Sequence, residues 1–87
     1  MTVEATFTRL QGQYLAFIEA YTKLNGVPPA EADLQRYFRV TAPSVHLMIL
    51  RLDHRGLITR ALGQARSMRV LLEPGRLPSL EPPPKAK

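Results

Sequence analysis

The chain has 87 residues, no cysteine and a formal charge of +5, which suits one small domain and leaves no room for a second, catalytic one. Without cysteine neither a disulfide framework nor a thiolate metal site is available, in keeping with a reducing cytoplasm. The N-terminus, MTVEATFTRL, lacks the apolar core of a signal peptide, and no stretch nears the roughly 20 apolar residues of a membrane span, so a cytoplasmic protein with no membrane partner is expected.

Residues 1–7 read as an N-terminal arm. Thr8 and Gln11 have capping-box form, a hydroxyl cap with an amide three residues on, and open an amphipathic helix. Leu10, Tyr14, Phe17, Ile18 and Tyr21 share one face of that helix, which should stop near Leu24-Asn25-Gly26, where glycine takes a left-handed cap. Val27-Pro28-Pro29 must be extended, because each proline restricts the residue before it.

A second helix is expected over 30–38, with Leu34 and Phe38 inward. Glu31 and Asp33 sit in its first turn, where the helix dipole favours acid, although Ala30 is a poor cap. Arg39-Val40 makes the turn, with Val40 plugging the core, and Thr41 caps a third helix over 41–55 that holds Pro43 in its first turn and stops at Arg55-Gly56. With Val45 at zero on a helical wheel, Met48, Ile49 and Leu52 fall within about 60° and form the inner face. Pro43, Leu47, Leu50 and His54 lie near the opposite side.

Strand-like runs follow at 57–61 and 67–72, joined by Leu62-Gly63-Gln64-Ala65-Arg66. In the second run Met68, Val70 and Leu72 alternate with Ser67, Arg69 and Leu71. From 74 to 87 apolar periodicity ends and five of the eight prolines occur, so a flexible, proline-rich tail is expected. The order of elements predicts an α+β, mainly α fold: a three-helix winged helix-turn-helix with a two-stranded β wing, occupying 8–73.

The run QYLAFIEAYTKLNGVPPAEADLQRYF (13–38) resembles the DNA-binding domain of LexA repressors in its apolar spacing, its Gly-apolar-Pro-Pro connection and the short helix that follows. VTAPSVHLMILRLDHRGLI (40–58) is similar to the recognition segment of winged-helix repressors of the DtxR and MntR type. The resemblance covers about residues 8–73 and implies a small prokaryotic transcriptional regulator that binds double-stranded DNA in the nucleoid. It places helix 41–55 in the major groove and the wing, 60–69, on the backbone. The DtxR-type likeness implies that Thr41, Pro43, Ser44, His46 and Leu47 reach bases or groove. Two departures stand out. LexA-like domains usually carry glycine in the turn where Arg39 stands, a position that a non-glycine residue occupies only at some strain. The self-cleaving peptidase domain of that family, with its serine and lysine pair, has no counterpart expected here, and neither self-cleavage nor the dimerisation it supplies is carried over.

Charge supports a nucleic-acid partner. Residues 36–76 hold eight arginines against two acids, whereas residues 1–35 are net acidic. A guanidinium fork binds phosphate bidentately and reaches guanine edges, although the codon usage of a GC-rich genome would also raise arginine. Arg39, Arg51, Arg60, Gln64 and Arg66 are the expected phosphate contacts, Gln64 and Arg66 lying at the wing tip. Leu47 and Leu50 leave the outer face of the third helix partly apolar, open to DNA contact, to a homodimer or protein interface, or to cover by another part of the chain. His46 and His54 are two turns apart, about 12 Å in rise, too far for one metal ion. No serine, histidine and acid set and no glycine-rich phosphate loop presents itself. Neither an enzyme nor a cofactor is therefore expected.

Overall fold

Thr8 begins the fold as expected: its side chain accepts from the Gln11 N–H at 3.1 Å while the Gln11 side chain accepts from the Thr8 N–H at 3.0 Å. In the computed structural model, which describes residues 7–84, this box opens helix α1 (Arg9–Asn25). The expected arm, apart from Phe7, lies outside the described residues. Gly26 ends α1 at φ 77°, its N–H bonding the Thr22 carbonyl, a left-handed cap that would strain a residue with a Cβ.

Helix α2 (Glu31–Phe38) starts without a capping side chain at Ala30. Asp33 compensates by reaching back, its Oδ2 accepting from the Ala30 N–H at 2.8 Å. The α2–α3 turn runs through Arg39 at φ 56° and ψ 48°, so an arginine does occupy the left-handed position. Helix α3 (Ala42–His54) follows, capped by Thr41, which accepts from the Ser44 N–H, with Pro43 in the first turn where a missing N–H costs nothing. Strands β1 (Ile58–Thr59) and β2 (Arg69–Val70) pair antiparallel, Ile58 opposite Val70 and Thr59 opposite Arg69. The paired region is thus two residues a side, shorter than the expected 57–61 and 67–72, because Ala61–Arg66 turn away from the ladder.

The core joins Tyr14, Leu15, Phe17 and Ile18 of α1 to Leu34 and Phe38 of α2, Val45, Ile49 and Leu52 of α3, and Leu57, Ile58 and Met68 of the hairpin. Tyr14 stacks flat on Phe38 with ring centroids 4.3 Å apart. Two expectations fail here. Leu10 is 53% exposed while Leu15 is fully buried, and Val40 faces solvent instead of plugging the core. Tyr14, Phe17 and Ile18 stay inward as expected, but every residue from Gln11 to Ile18 is buried, so α1 is covered on its other sides as well.

That extra cover comes from the C-terminal segment. The proline-rich segment expected to be a flexible tail makes a 3-10 turn at Pro74–Arg76 and is then laid along α1 and α2 as far as Pro84. Leu77 and Leu80 pack against the core. Gln13 donates to the Ser79 carbonyl at 3.0 Å and accepts from the Glu81 N–H at 2.7 Å. The Tyr37 hydroxyl donates to the Glu81 carbonyl, Arg9 pairs with the Glu81 carboxylate, and Arg39 Nε donates to the Pro84 carbonyl at 2.8 Å. An extended proline-rich strand has no internal hydrogen bonds, so its carbonyls need donors from elsewhere. Gln13, Tyr37 and Arg39 supply them. Gly12 permits the close approach, since a Cβ there would stand 3.0 Å from Pro78 Cγ and 2.8 Å from the Phe7 ring.

Candidate nucleic-acid interface

The inner face of α3 is fixed by Val45, Ile49 and Leu52, all completely buried, which turns Thr41, Pro43, Ser44, His46, Leu47, Leu50, Arg51 and His54 to solvent. At the N-terminal end, the Thr41 hydroxyl donates to Ser44 Oγ at 2.9 Å. These hydroxyls and the Ala42 N–H are what this end offers an anionic oxygen, since Pro43 has no N–H and those of Ser44 and Val45 already bond Thr41. His46 Nδ1 lies 3.3 Å from both carboxylate oxygens of Glu31, so α2 holds the ring that α3 presents. Leu47 and Leu50 are 48% and 40% exposed, and nothing among the described residues covers them fully.

The arginines divide into two groups. The Arg51 side chain makes no hydrogen bond or ion pair among the described residues and points from the exposed face of α3. Arg39, at the turn, is exposed but spends its Nε on Pro84. Arg60 is turned back to the end of α3, its Nε 3.0 Å from Asp53 Oδ2, and only 18% of its side chain is exposed. Arg66 folds from the wing onto the helices, where Nη1 donates to Asp33 Oδ2 at 3.0 Å and to the Tyr21 hydroxyl at 3.0 Å. Gln64 remains at the exposed tip, its carbonyl accepting from the Ser67 hydroxyl at 3.0 Å. Of the expected phosphate contacts, then, Arg51 is unengaged, Arg39 is partly engaged, and Arg60 and Arg66 already have acidic partners.

Asp33 is the residue the sequence reading missed. Its side chain is 12% exposed and receives Arg66, Arg36 and the Ala30 N–H at once. Burial pushes its carboxyl upward, but the Ala30 bond, the charge of Arg66 and the hydrogen bonds from Arg36 and Arg66 outweigh it and hold the pKa below the ordinary carboxylate value. On Arg66 the Tyr21 hydrogen bond and the Asp33 charge act in the opposite direction and raise the pKa further. Its acidity in the first turn of α2 was legible as a dipole effect. Its partner, 33 residues away in the chain, was not.

Among the described residues no group of three or more histidine, cysteine or acidic side chains is arranged to hold a metal ion, and no helix is long and apolar enough to cross a membrane. Three helices followed by a two-stranded hairpin, with α3 exposed along one side, make up a winged helix-turn-helix. Residues 4–67 match the model of the LexA DNA binding domain. The chain belongs to that family. It is 38% identical over 63 residues to the LexA repressor of Thermotoga neapolitana, a match covering 72% of this chain and 32% of that protein. The LexA repressor of Thermotoga petrophila is 36% identical over 63 residues, 72% of this chain and 32% of that repressor. That of Thermosipho africanus is 33% identical over 67 residues, 77% of this chain and 34% of the relative. The chain thus spans about a third of the length of these LexA relatives. The family match takes in all three helices, β1 and the wing tip; the docked segment from Leu77 to Pro84 lies beyond it.

Proposed function

We propose that this domain binds double-stranded DNA as a prokaryotic regulator of transcription, with α3 in the major groove and the wing beside the phosphate backbone. Its place in the LexA DNA-binding family carries this reading, and the exposed polar N-terminal end of α3 agrees with it. Ser44 and His46 are the side chains suited to base edges, Thr41 and the α3 N-terminus to a phosphate, and Pro43 and Leu47 to apolar contact, Leu47 against a thymine methyl. The likeness of 40–58 to DtxR-type recognition segments supports the same positions. Arg51 and Arg39 are the leading phosphate contacts, and Arg60 joins them if Asp53 releases it. With so few base-reading groups, specificity leans on DNA shape, and tight binding calls for a second copy or a fused or separate partner.

A salt titration of binding to duplex DNA tests the reading. About four to six phosphate contacts should give a log-log slope of about −4 to −5, and Arg51→Ala should weaken binding on all sequences alike while reducing the steepness of that slope by about 0.9. A binding curve insensitive to salt would overturn the proposal.

A further inference from the structure

The wing cannot hold its own position. Its ladder is two residues a side, every residue from Ala61 to Arg66 is exposed, and a cavity of about 320 Å³ bounded by Glu31, Ile49, Arg60 and the wing residues separates the tip from the helices. Only Met68, at the root of the wing, is buried in the core. A tip with no ladder and no apolar anchor beyond its root would sample many orientations. Among the described residues, one side chain crosses from the tip to the helical body. Arg66, in the left-handed conformation at φ 56°, places Nη1 3.0 Å from both Asp33 Oδ2 and the Tyr21 hydroxyl, with its guanidinium carbon 5.9 Å from the Tyr21 ring centroid. Both receiving groups belong to helices that the core holds rigid. Asp33 is fixed in turn by the Ala30 N–H at the start of α2, where it substitutes for the missing cap.

We propose that Arg66, Asp33 and Tyr21 form a latch that fixes the wing relative to α3, so that Arg66 is a positioning residue for DNA binding and not one of its phosphate contacts. The proposal rests on the DNA-binding reading for its consequence but not for its geometry. A latched wing presents Gln64 and the tip backbone at a set distance from α3, and binding then does not bear the cost of ordering the loop. An unlatched wing makes the same contacts from a broader ensemble. Breaking the latch therefore lowers affinity without removing a charge from the contact surface.

The test has two arms. In the first, backbone amide exchange is followed in the DNA-free protein at Ala61 and Gln64, whose N–H groups bond Ser67 Oγ and the Ala61 carbonyl within the wing. Arg66→Ala and Asp33→Asn should each speed exchange there about five-fold, Asp33→Asn being chosen because an amide oxygen still accepts from Ala30. Unchanged exchange overturns the latch whatever the protein binds. In the second arm, duplex DNA affinity is measured across salt concentrations. Arg66→Ala should weaken binding about three- to ten-fold with the native salt slope retained, and Tyr21→Phe should cost less when added to Arg66→Ala than it does alone. A slope shallower by about 0.9 would make Arg66 a phosphate ligand and overturn the proposal, as would additive losses or unaltered affinity. Should the native chain bind no duplex while exchange behaves as stated, the DNA-binding reading fails and the latch stands.

Discussion

The wing (60–69) and the docked C-terminal strap (77–84) are both nearly devoid of regular structure, yet different chemistry holds each to the helical body. The wing is fastened by charge: Arg66 to Asp33 and, at its base, Arg60 to Asp53. The strap is fastened mainly by apolar packing of Leu77 and Leu80 and by neutral hydrogen bonds from its backbone to the buried Gln13 and to Tyr37. Ion pairs near the surface are weak, screened by salt and open to exchange for another anion. Buried neutral bonds are costly to leave unmade and indifferent to salt. The difference separates a part whose position is adjustable, beside the face proposed to meet DNA, from a part that belongs to the fold itself.

Removing the strap tests the second half of that contrast most severely. A chain stopped after Arg76 exposes the core surface beneath Leu77 and Leu80 and leaves Gln13 without its partners. Half-burial of two leucines and the lost hydrogen bonds together correspond to about 2–4 kcal/mol. In a domain of this size the melting temperature should fall by on the order of 10 °C, as a calorimetric or circular dichroism melt would show. A truncated chain melting with the full one would mean that the strap only rests on the surface.

The strap also marks where sequence reading stopped. The caps at Thr8 and Thr41, Pro43, the Gly26 stop and the spacing of Val45, Ile49 and Leu52 are local signals, and each appears in the structure as read. Helix order and the hairpin followed from them. Leu10 and Leu15 both fit an amphipathic wheel, and the choice between them depends on what else α1 meets. Gln13 looks like an ordinary solvent-facing amide until a segment 66 residues away is laid across it. Likewise the arginine count predicted a basic surface, but not that Asp33 and Asp53 would engage two of the four arginines expected to contact phosphate. Pairings of that kind are set by tertiary geometry, to which composition is blind.

Acid should loosen the wing's attachment and spare the strap's neutral bonds. Because Asp33 has a lowered pKa in the folded state, its contribution is complete above the ordinary carboxylate value, about 4 in the unfolded chain, and is lost as pH falls through the lower folded value. Melts of the native chain and Asp33→Asn should therefore differ by a few degrees at pH 7, the native being more stable, and converge towards pH 2. A gap that persists in strong acid would mean that the Asp33 charge is not what the variant removes. The Gln13 bonds involve no ionisable group and should not contribute to this convergence.

Salt gives the finest separation without a substitution, because the strap's one exposed ion pair among the described residues, Arg9 with Glu81, is backed by apolar packing and neutral bonds that the wing tip lacks. Raising ionic strength from 0.1 to 1 M shortens the screening length from about 10 Å to about 3 Å. The Arg66 side chain is 46% exposed, so its pairing with Asp33 is within reach of that screening. The Glu81 N–H, bonded to a Gln13 side chain in a residue only 7% exposed, is not charged and has little to lose. Amide exchange at Ala61 and Gln64 should accelerate modestly, by about two-fold, relative to exchange at Glu81 in the same sample. The internal ratio removes the general effect of salt on exchange chemistry and on global stability. A ratio that does not move would mean that the wing is held by something other than charge, and the contrast between the two segments would then be one of position alone.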